Sequence, residues 1–492
     1  VNNVVETSTQ SERPNPWLIQ GGMGIAISGW PLARAVARQG QLGVVSGTAI
    51  DNVFARRLQD DGVDGELQEV LDRFPLQSAV SDALSRFAAK KRAPSAPYRV
   101  APMLTARSAQ RSIDLLVLSS YVEVALAKQG HDGIVGINLL TKVQIPTAPA
   151  LLGAILAGVD YVLMGAGLPT SIPGVIKQLS LGEQVEITLS VVGDVASGQT
   201  PTLQFDPTPY LPSSSLRRPK FLGIVSGHVL ATALAKRSNG PVDGFVVERP
   251  SAGGHNAPPR GKYSLDINGD PQYGDRDLVD YDVMRALNVP YWIGGGIAAA
   301  SDVQEAFDLG AAGVQVGTLF AYCRESGMDP ELREKVLDAV RKGPVQVRTS
   351  IRASSTGYPF KVASIEGTVS DPDVYAERER KCDLGYLREV YVKANGTIGY
   401  RCAAEPTSAY VRKGGQLEDT EGVTCLCNGL MSTCGLGQVR AGGHQEPAIV
   451  TSGDRINEVR TLLAENEDFG AVDVIEFLQK GLAIDAPAAP RA

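Results

Sequence analysis

The feature that most constrains this chain is a repeat of short apolar runs, each followed by an amphipathic segment. The runs are "WLIQG" (Trp17 to Gly21), "LGVVS" (Leu42 to Ser46), "IVGINLL" (Ile134 to Leu140), "DYVLMG" (Asp160 to Gly165), "FLGIVS" (Phe221 to Ser226), "DGFVVE" (Asp243 to Glu248), "YWIGGG" (Tyr291 to Gly296) and "GVQVGT" (Gly313 to Thr318). They are continuous rather than alternating, as strands covered on both faces must be. Between them lie helical patterns such as "PLARAVARQG", "HVLATALAKRS" and "SDVQEAFDLGA". Eight strand–helix units over roughly 300 residues predict an α/β fold, a (β/α)8 TIM barrel, in preference to an open doubly wound sheet.

The barrel is expected over 16–345, behind an N-terminal arm at 1–15. Two insertions interrupt it. The first, about 51–133, is mostly polar and helical, and takes in a further apolar run, "LLVLSS" (Leu115 to Ser120). The second, about 185–205, alternates around a Gly/Ser turn and reads as a hairpin. The repeat stops near Val345, so 346–480 is expected to be a separate region, with its own hairpin turning at Asn395-Gly396. The tail, 481–492, is expected to be disordered. The net charge is −7, and the one short basic patch, "AAKKRAPSAP", reads as a solvated loop, so no nucleic-acid partner is expected. The first 15 residues lack an apolar signal segment. The most apolar window carries Asp160 and glycines, and reads as helix, turn and strand rather than a membrane span. A soluble, cytoplasmic protein without a membrane partner is expected.

Glycines collect where the barrel's strands end. Gly294, Gly295 and Gly296 end the seventh run, and Gly317-Thr318 ends the eighth. Backbone N–H groups from two such neighbouring loops can surround a phosphate without a positive side chain. Gly22, Met23 and Gly24 end the first run and offer a low surface for a planar ring. Asn138, in the third, offers an amide to that ring or to its polyol chain. The chain holds four histidines. His255 lies in "ERPSAGGHNAPPRGK", where Gly253 and Gly254 let the loop approach a cofactor, on the face that carries barrel active sites. A neutral imidazole there can take or give a proton near neutral pH. His228, ending the fifth run in "SGHVLA", is a candidate second acid–base residue; His131 and His444 have no comparable setting.

In this order, "WLIQGGMG", "GINLL", "GVDYVLMGAGLP", "SAGGHN", "IGGGIA" and "GVQVGT" resemble the nitronate monooxygenase (2-nitropropane dioxygenase) family of FMN-dependent barrels. The flavin enoyl-ACP reductases, trans-acting ones included, share this framework. The resemblance covers about Trp17 to Tyr322. It implies that His255 is catalytic beside the flavin. It also implies that Gly294, Gly295, Gly296, Gly317 and Thr318 hold the FMN phosphate, while Gly22, Met23, Gly24 and Asn138 line the ring and ribityl chain. Two departures stand out: "NAPPRGK" follows the histidine where the family usually has a glycine, and the C-terminal region has no place in a compact member.

The function this implies is an FMN-dependent flavoprotein oxidoreductase, a monooxygenase that oxidises nitronates or nitroalkanes with O2, with His255 as acid/base. An alternative is an NAD(P)H-dependent FMN enoyl reductase, whose partner is an acyl-thioester carrier in fatty acid or polyketide synthesis. A third reading is a flavin-free phosphate-binding barrel. In the C-terminal region Cys382, Cys402, Cys425 and Cys427 are candidate ligands for zinc or an iron–sulfur cluster, or else small buried hydrophobes.

Overall fold

The computed structural model describes residues 14–193, 200–212 and 214–483. Each of the eight apolar runs is a strand: β1 (Leu18–Gln20), β2 (Gly43–Ser46), β3 (Val135–Leu140), β4 (Tyr161–Gly165), β5 (Lys220–Val225), β6 (Gly244–Glu248), β7 (Tyr291–Gly294) and β8 (Gly313–Val316). All pair in parallel, in the spatial order β1-β8-β7-β6-β5-β4-β3-β2. The two ends meet. Ile19 bridges Leu42, with Gln20 N donating to Leu42 O (2.9 Å) and Leu42 N to Leu18 O (3.1 Å). The sheet is therefore the expected (β/α)8 barrel. Its lumen is plugged by Ile19, Val44, Leu163, Leu222, Val246 and Trp292, so ligands are left with the mouth at the strands' C-terminal ends.

The first insertion is helical, as its composition predicts. The run "LLVLSS" lies in the long helix Gln110–Lys128, which packs against the helices Trp30–Ala37 and Thr147–Leu156 and so joins the outer ring. Its nearly continuous burial explains why it reads as a strand-like run. The second insertion is a hairpin, with Val185–Thr188 antiparallel to Thr202–Phe205. Its 194–199 segment lies outside the described residues, as do the N-terminal arm up to 13 and the tail from 484.

The C-terminal region is not set apart from the barrel. Helix Ala471–Gln479 packs between the helices that follow β1 and β7, Trp30–Ala37 and Ala300–Asp308. That is the place of an eighth ring helix, because after β8 and the single turn Thr318–Ala321 the next helix, Pro330–Lys342, packs instead against Val459–Glu465. Val450, Val459, Leu462, Phe469 and Val474 are buried in one apolar cluster with the barrel's own helices. Burial of the barrel's eighth face thus needs chain from far beyond 345. The hairpin Glu389–Val392/Ile398–Arg401 forms around Asn395-Gly396, and its first strand also pairs with Val191–Val192 of the second insertion. A second antiparallel pair, Val347–Ser350 with Phe360–Ala363, is laid over the barrel mouth.

Candidate active site

The loops after the strands and the overlying C-terminal region enclose a cavity with about 1730 Å³ of empty space, its open mouth included. Gly22, Met23, Gly24, Asn138, Gly253, Gly254, His255, Gly295, Gly296, Gly317 and Thr318 all line it. One end is a glycine cradle. Gly295 and Gly296 have φ of +88° and +78°, which glycine adopts without strain. A Cβ on Gly295 would stand 2.9 Å from Ala252 N and Arg249 O. At Gly317 a Cβ would meet only Met23, at 3.6 Å from its Sδ. Gly294, the last residue of β7, does not line the cavity; it stands in register between Glu248 and Gln315, leaving room for both.

At the other strand ends, Gly22 is glycine because a Cβ would fall 2.2 Å from that of Asn138. The Asn138 amide donates to Leu163 O (3.0 Å) and Leu139 O (3.3 Å), which fixes the side chain and leaves its oxygen for the cavity. Glu248 and Gln315 also face in. Gln315 Oε1 is buried without a hydrogen-bond partner among the described residues. Burial pushes the Glu248 carboxyl up to about 7, and no cation pairs with it among the described residues. These two residues were missed in the sequence because they occupy strand positions that read as core.

His255 is held by the C-terminal region. Its loop pairs with the strand Phe360–Ala363: Asn256 N donates to Pro359 O and Lys361 N to Gly254 O, both at 2.9 Å. Gly254 N donates to Thr451 Oγ1 (2.8 Å), and a Cβ on Gly253 would come within 2.9 Å of Ser452 C. The imidazole stands edge-on to Phe360, with ring centres 4.9 Å apart. Its Nε2 meets Ser354 Oγ at 2.7 Å. Ser354 Oγ meets Thr356 Oγ1 at 2.7 Å, and Lys142 Nζ donates to Thr356 Oγ1 at 3.1 Å.

Hydrogen-bond accounting assigns the direction of this chain. An ammonium only donates, so Thr356 Oγ1 accepts from Lys142. The Thr356 hydroxyl then has its proton for Ser354, which also accepts Thr356 N–H at 3.2 Å. Ser354 therefore donates to Nε2, and the imidazole carries its proton on Nδ1, which has no protein partner among the described residues. The reverse direction would leave the Thr356 proton without a protein acceptor among the described residues. Burial, with Lys142 adding to it, lowers the His255 pKa to about 3, so the ring is neutral at ordinary pH. Burial also lowers the Lys142 ammonium to about 7.

The remaining lining also comes from the C-terminal region. Leu387, Leu426 and Leu430 join Ile25, Ile27 and Phe360 in an apolar wall. At the cradle, Gly453 N donates to Thr318 Oγ1 (3.0 Å) and Arg455 Nη1 to Gly296 O (3.3 Å), which brings to the glycines a guanidinium that also pairs with Asp302 (3.6 Å) and Glu458 (3.4 Å). None of these residues carries a motif, so nothing in the sequence singles them out.

Two expectations are corrected. His228 does not reach the cavity. It opens the helix His228–Arg237 on the barrel's outer side, where its Nδ1 accepts from Asp280 N at 3.0 Å, and β5 contributes Ile224 instead. Cys382, Cys402, Cys425 and Cys427 do gather around one small secondary cavity. Yet no group of three metal-ligating side chains among the described residues is placed to hold an ion. All are free thiols whose pKa burial raises, to about 11 at Cys382 and about 12 at Cys427, which fits the buried-hydrophobe reading. No helix among the described residues is long and apolar enough to cross a membrane.

Fold and site together define a (β/α)8 barrel with a glycine-lined cradle and a neutral histidine at its mouth. Residues 205–363, which include His255 and both glycine loops, match the nitronate monooxygenase family model. The chain is similar to a nitronate monooxygenase of Pseudomonas aeruginosa, 31% identical over 119 residues, or 23% of this chain and 30% of that protein. It is also 36% identical over 98 residues to a probable nitronate monooxygenase of Bacillus subtilis, covering 20% of this chain and 26% of the relative. These matches thus span less than a third of either relative. FabK from Thermotoga maritima overlays 95% of this chain and 92% of its own, with TM-score 0.45 and 17% identity.

Proposed function

We propose that this protein is an FMN-dependent oxidoreductase acting on nitronates, with O2 as oxidant and His255 beside the flavin. One arrangement carries the reading: a neutral imidazole, its Nδ1–H without a partner among the described residues, shares a cavity with a glycine cradle that Arg455 adjoins. The residues fit the cofactor. Gly295, Gly296, Gly317 and Thr318 would hold the phosphate, with Arg455 close by. Met23, Gly24 and Asn138 would line the ring, and the unpaired Gln315 Oε1 suits a ring N–H. Flavin bound there would supply two-electron chemistry. The chain's own part is to bind, to exclude water behind the C-terminal cover, and to present Nδ1–H to an anionic oxygen of the substrate. A group that presents N–H suits a nitronate better than a neutral nitroalkane, which would require a base.

A second reading, reduction of a 2-enoyl thioester with NAD(P)H as donor, is favoured by the apolar wall of Leu387, Leu426 and Leu430, which suits an acyl chain. Anaerobic mixing of the holoprotein with a nitronate, NADPH and NADH in turn separates the two. Bleaching of the flavin by the nitronate supports the first reading. Bleaching by a nicotinamide alone, with recovery on adding the thioester, supports the second. A colourless purified protein would favour a flavin-free phosphate-binding barrel.

A further inference from the structure

Lys142 has no role in the reading above, yet it sits at the end of an unbroken line of hydrogen bonds that stops at His255. The line is short at each link: 3.1 Å from Lys142 Nζ to Thr356 Oγ1, 2.7 Å from Thr356 to Ser354, and 2.7 Å from Ser354 to His255 Nε2. Its donors all point one way, from the ammonium toward the imidazole. Lys142 lies just after β3, whereas both hydroxyls belong to the C-terminal region, so the line exists only once that region has docked.

We propose that Lys142, Thr356 and Ser354 form a proton relay that resupplies His255 when it gives its Nδ1 proton to the α-carbanion of a reduced 2-enoyl thioester. The inference rests on His255 meeting the substrate. The protons balance. His255 gives its Nδ1 proton to the substrate while Nε2 takes the Ser354 hydroxyl proton. Ser354 takes that of Thr356, and Thr356 takes one from the Lys142 ammonium. Each step breaks one O–H or N–H bond and forms another, and no electrons are transferred. Lys142 is left neutral and is reloaded from water, since its side chain is only half-buried. The three residues act through His255 and are positioning residues.

The environment of Lys142 suits that role. Its Nζ lies over the Tyr358 ring, 3.1 Å from the centroid, and His255 is the other titratable group facing it. No carboxylate pairs with it among the described residues, and burial brings its pKa to about 7, where an ammonium gives up and regains a proton readily. A lysine paired with a carboxylate would hold its proton too firmly for the purpose.

The test begins with 15N-histidine NMR of the intact holoprotein, in which four histidines give a simple spectrum. The His255 ring should carry its proton on Nδ1 from pH 5 to 9. Its Nε2 signal should step near pH 7 as Lys142 titrates. The step should vanish in Lys142→Met and in Thr356→Val. An Nε2–H ring, no step in the wild type, or a step undiminished in Thr356→Val would each overturn the relay. The second arm follows reoxidation of the reduced holoprotein by a 2-enoyl thioester, whose α-carbon must gain a proton. Lys142→Met and Lys142→Arg should slow it by about 10²-fold or more, and the rate should lose its decline above pH 7, because an arginine keeps the charge but does not release the proton. Nitronate oxidation, which requires no proton delivery, should be unchanged in both. If His255→Ala slows the thioester step while Lys142→Met leaves its rate and pH profile intact, the relay fails alone. If His255→Ala affects neither substrate, the reading of His255 fails, and the NMR arm still decides whether the line carries protons.

Discussion

Replacing Gly317 by Asp tests the anion cradle with little confusion from misfolding. Gly317 has φ −110°, a conformation open to any residue, and it caps the turn Thr318–Ala321, a position where Asp is favoured. A Cβ there meets only Met23 atoms, the nearer at 3.6 Å. Gly295 is the poorer choice, because its φ of +88° and its 2.9 Å approaches to backbone atoms would disturb the loop itself. In Gly317→Asp the new carboxylate would face a bound phosphate at about 5 Å. At an effective dielectric of about 20, each pair of like charges then costs about 3 kcal/mol. That corresponds to a loss of flavin affinity of at least about 10²-fold. Gly317→Asn has the same shape without the charge and should stay within about tenfold of the wild type. The assay is the flavin absorbance per chain after purification, followed by titration with FMN, with circular dichroism to check the fold. An aspartate variant that keeps its full complement of flavin would place the phosphate elsewhere and sink the assignment of this end of the cavity.

His255→Ala should leave the flavin bound, because the cradle comes from other loops, and should lower kcat/KM for a nitronate by about 10–10²-fold through loss of one charge-assisted hydrogen bond; unchanged kinetics with every substrate would make it a structural residue. Because the fold lowers the His255 pKa from 6.5 to about 3, the unfolded chain binds the extra proton more readily in that interval. His255 should therefore contribute stability in full above pH 6.5 and lose it as pH falls toward 3; a Tm that drops no faster with acid in the wild type than in His255→Gln would contradict the burial. The Arg378–Glu446 pair is 2.8 Å long with side chains only 1% and 2% exposed, so Arg378→Met should cost about 3 kcal/mol in urea unfolding. Arg440, 3.7 Å from the same carboxylate, limits the loss, and an unfolding midpoint equal to the wild type's would show the pair to be dispensable. Cofactor released by heat should migrate as FMN, as a terminal-phosphate cradle without a dinucleotide fingerprint requires, and FAD as the main species would contradict that.

The barrel and much of its mouth are legible in local sequence. Continuous Val/Ile-rich runs suit strands buried on both faces, and eight of them in strand–helix alternation close on themselves. Glycines at strand ends, and a histidine after a Gly-Gly pair, are local requirements of backbone conformation and close approach, so Gly295, Gly296, Gly317 and His255 were legible one by one. His228 misled for the complementary reason: its position after β5 is local, but the direction of its side chain is set by the helix it opens and by Asp280 N. The four cysteines likewise share a neighbourhood without the geometry of a metal site. The role of the C-terminal region comes from packing between distant parts of the chain. Ser354, Thr356, Leu387, Leu426, Leu430, Gly453 and Arg455 belong to no motif, and lie far along the chain from the loops they complete. They reach the site because helix Ala471–Gln479 fills the gap in the outer ring and the strand Phe360–Ala363 pairs with the His255 loop. Burial of an apolar face and pairing of backbone groups draw these segments together across more than a hundred residues of chain, and neither force leaves a mark in local sequence.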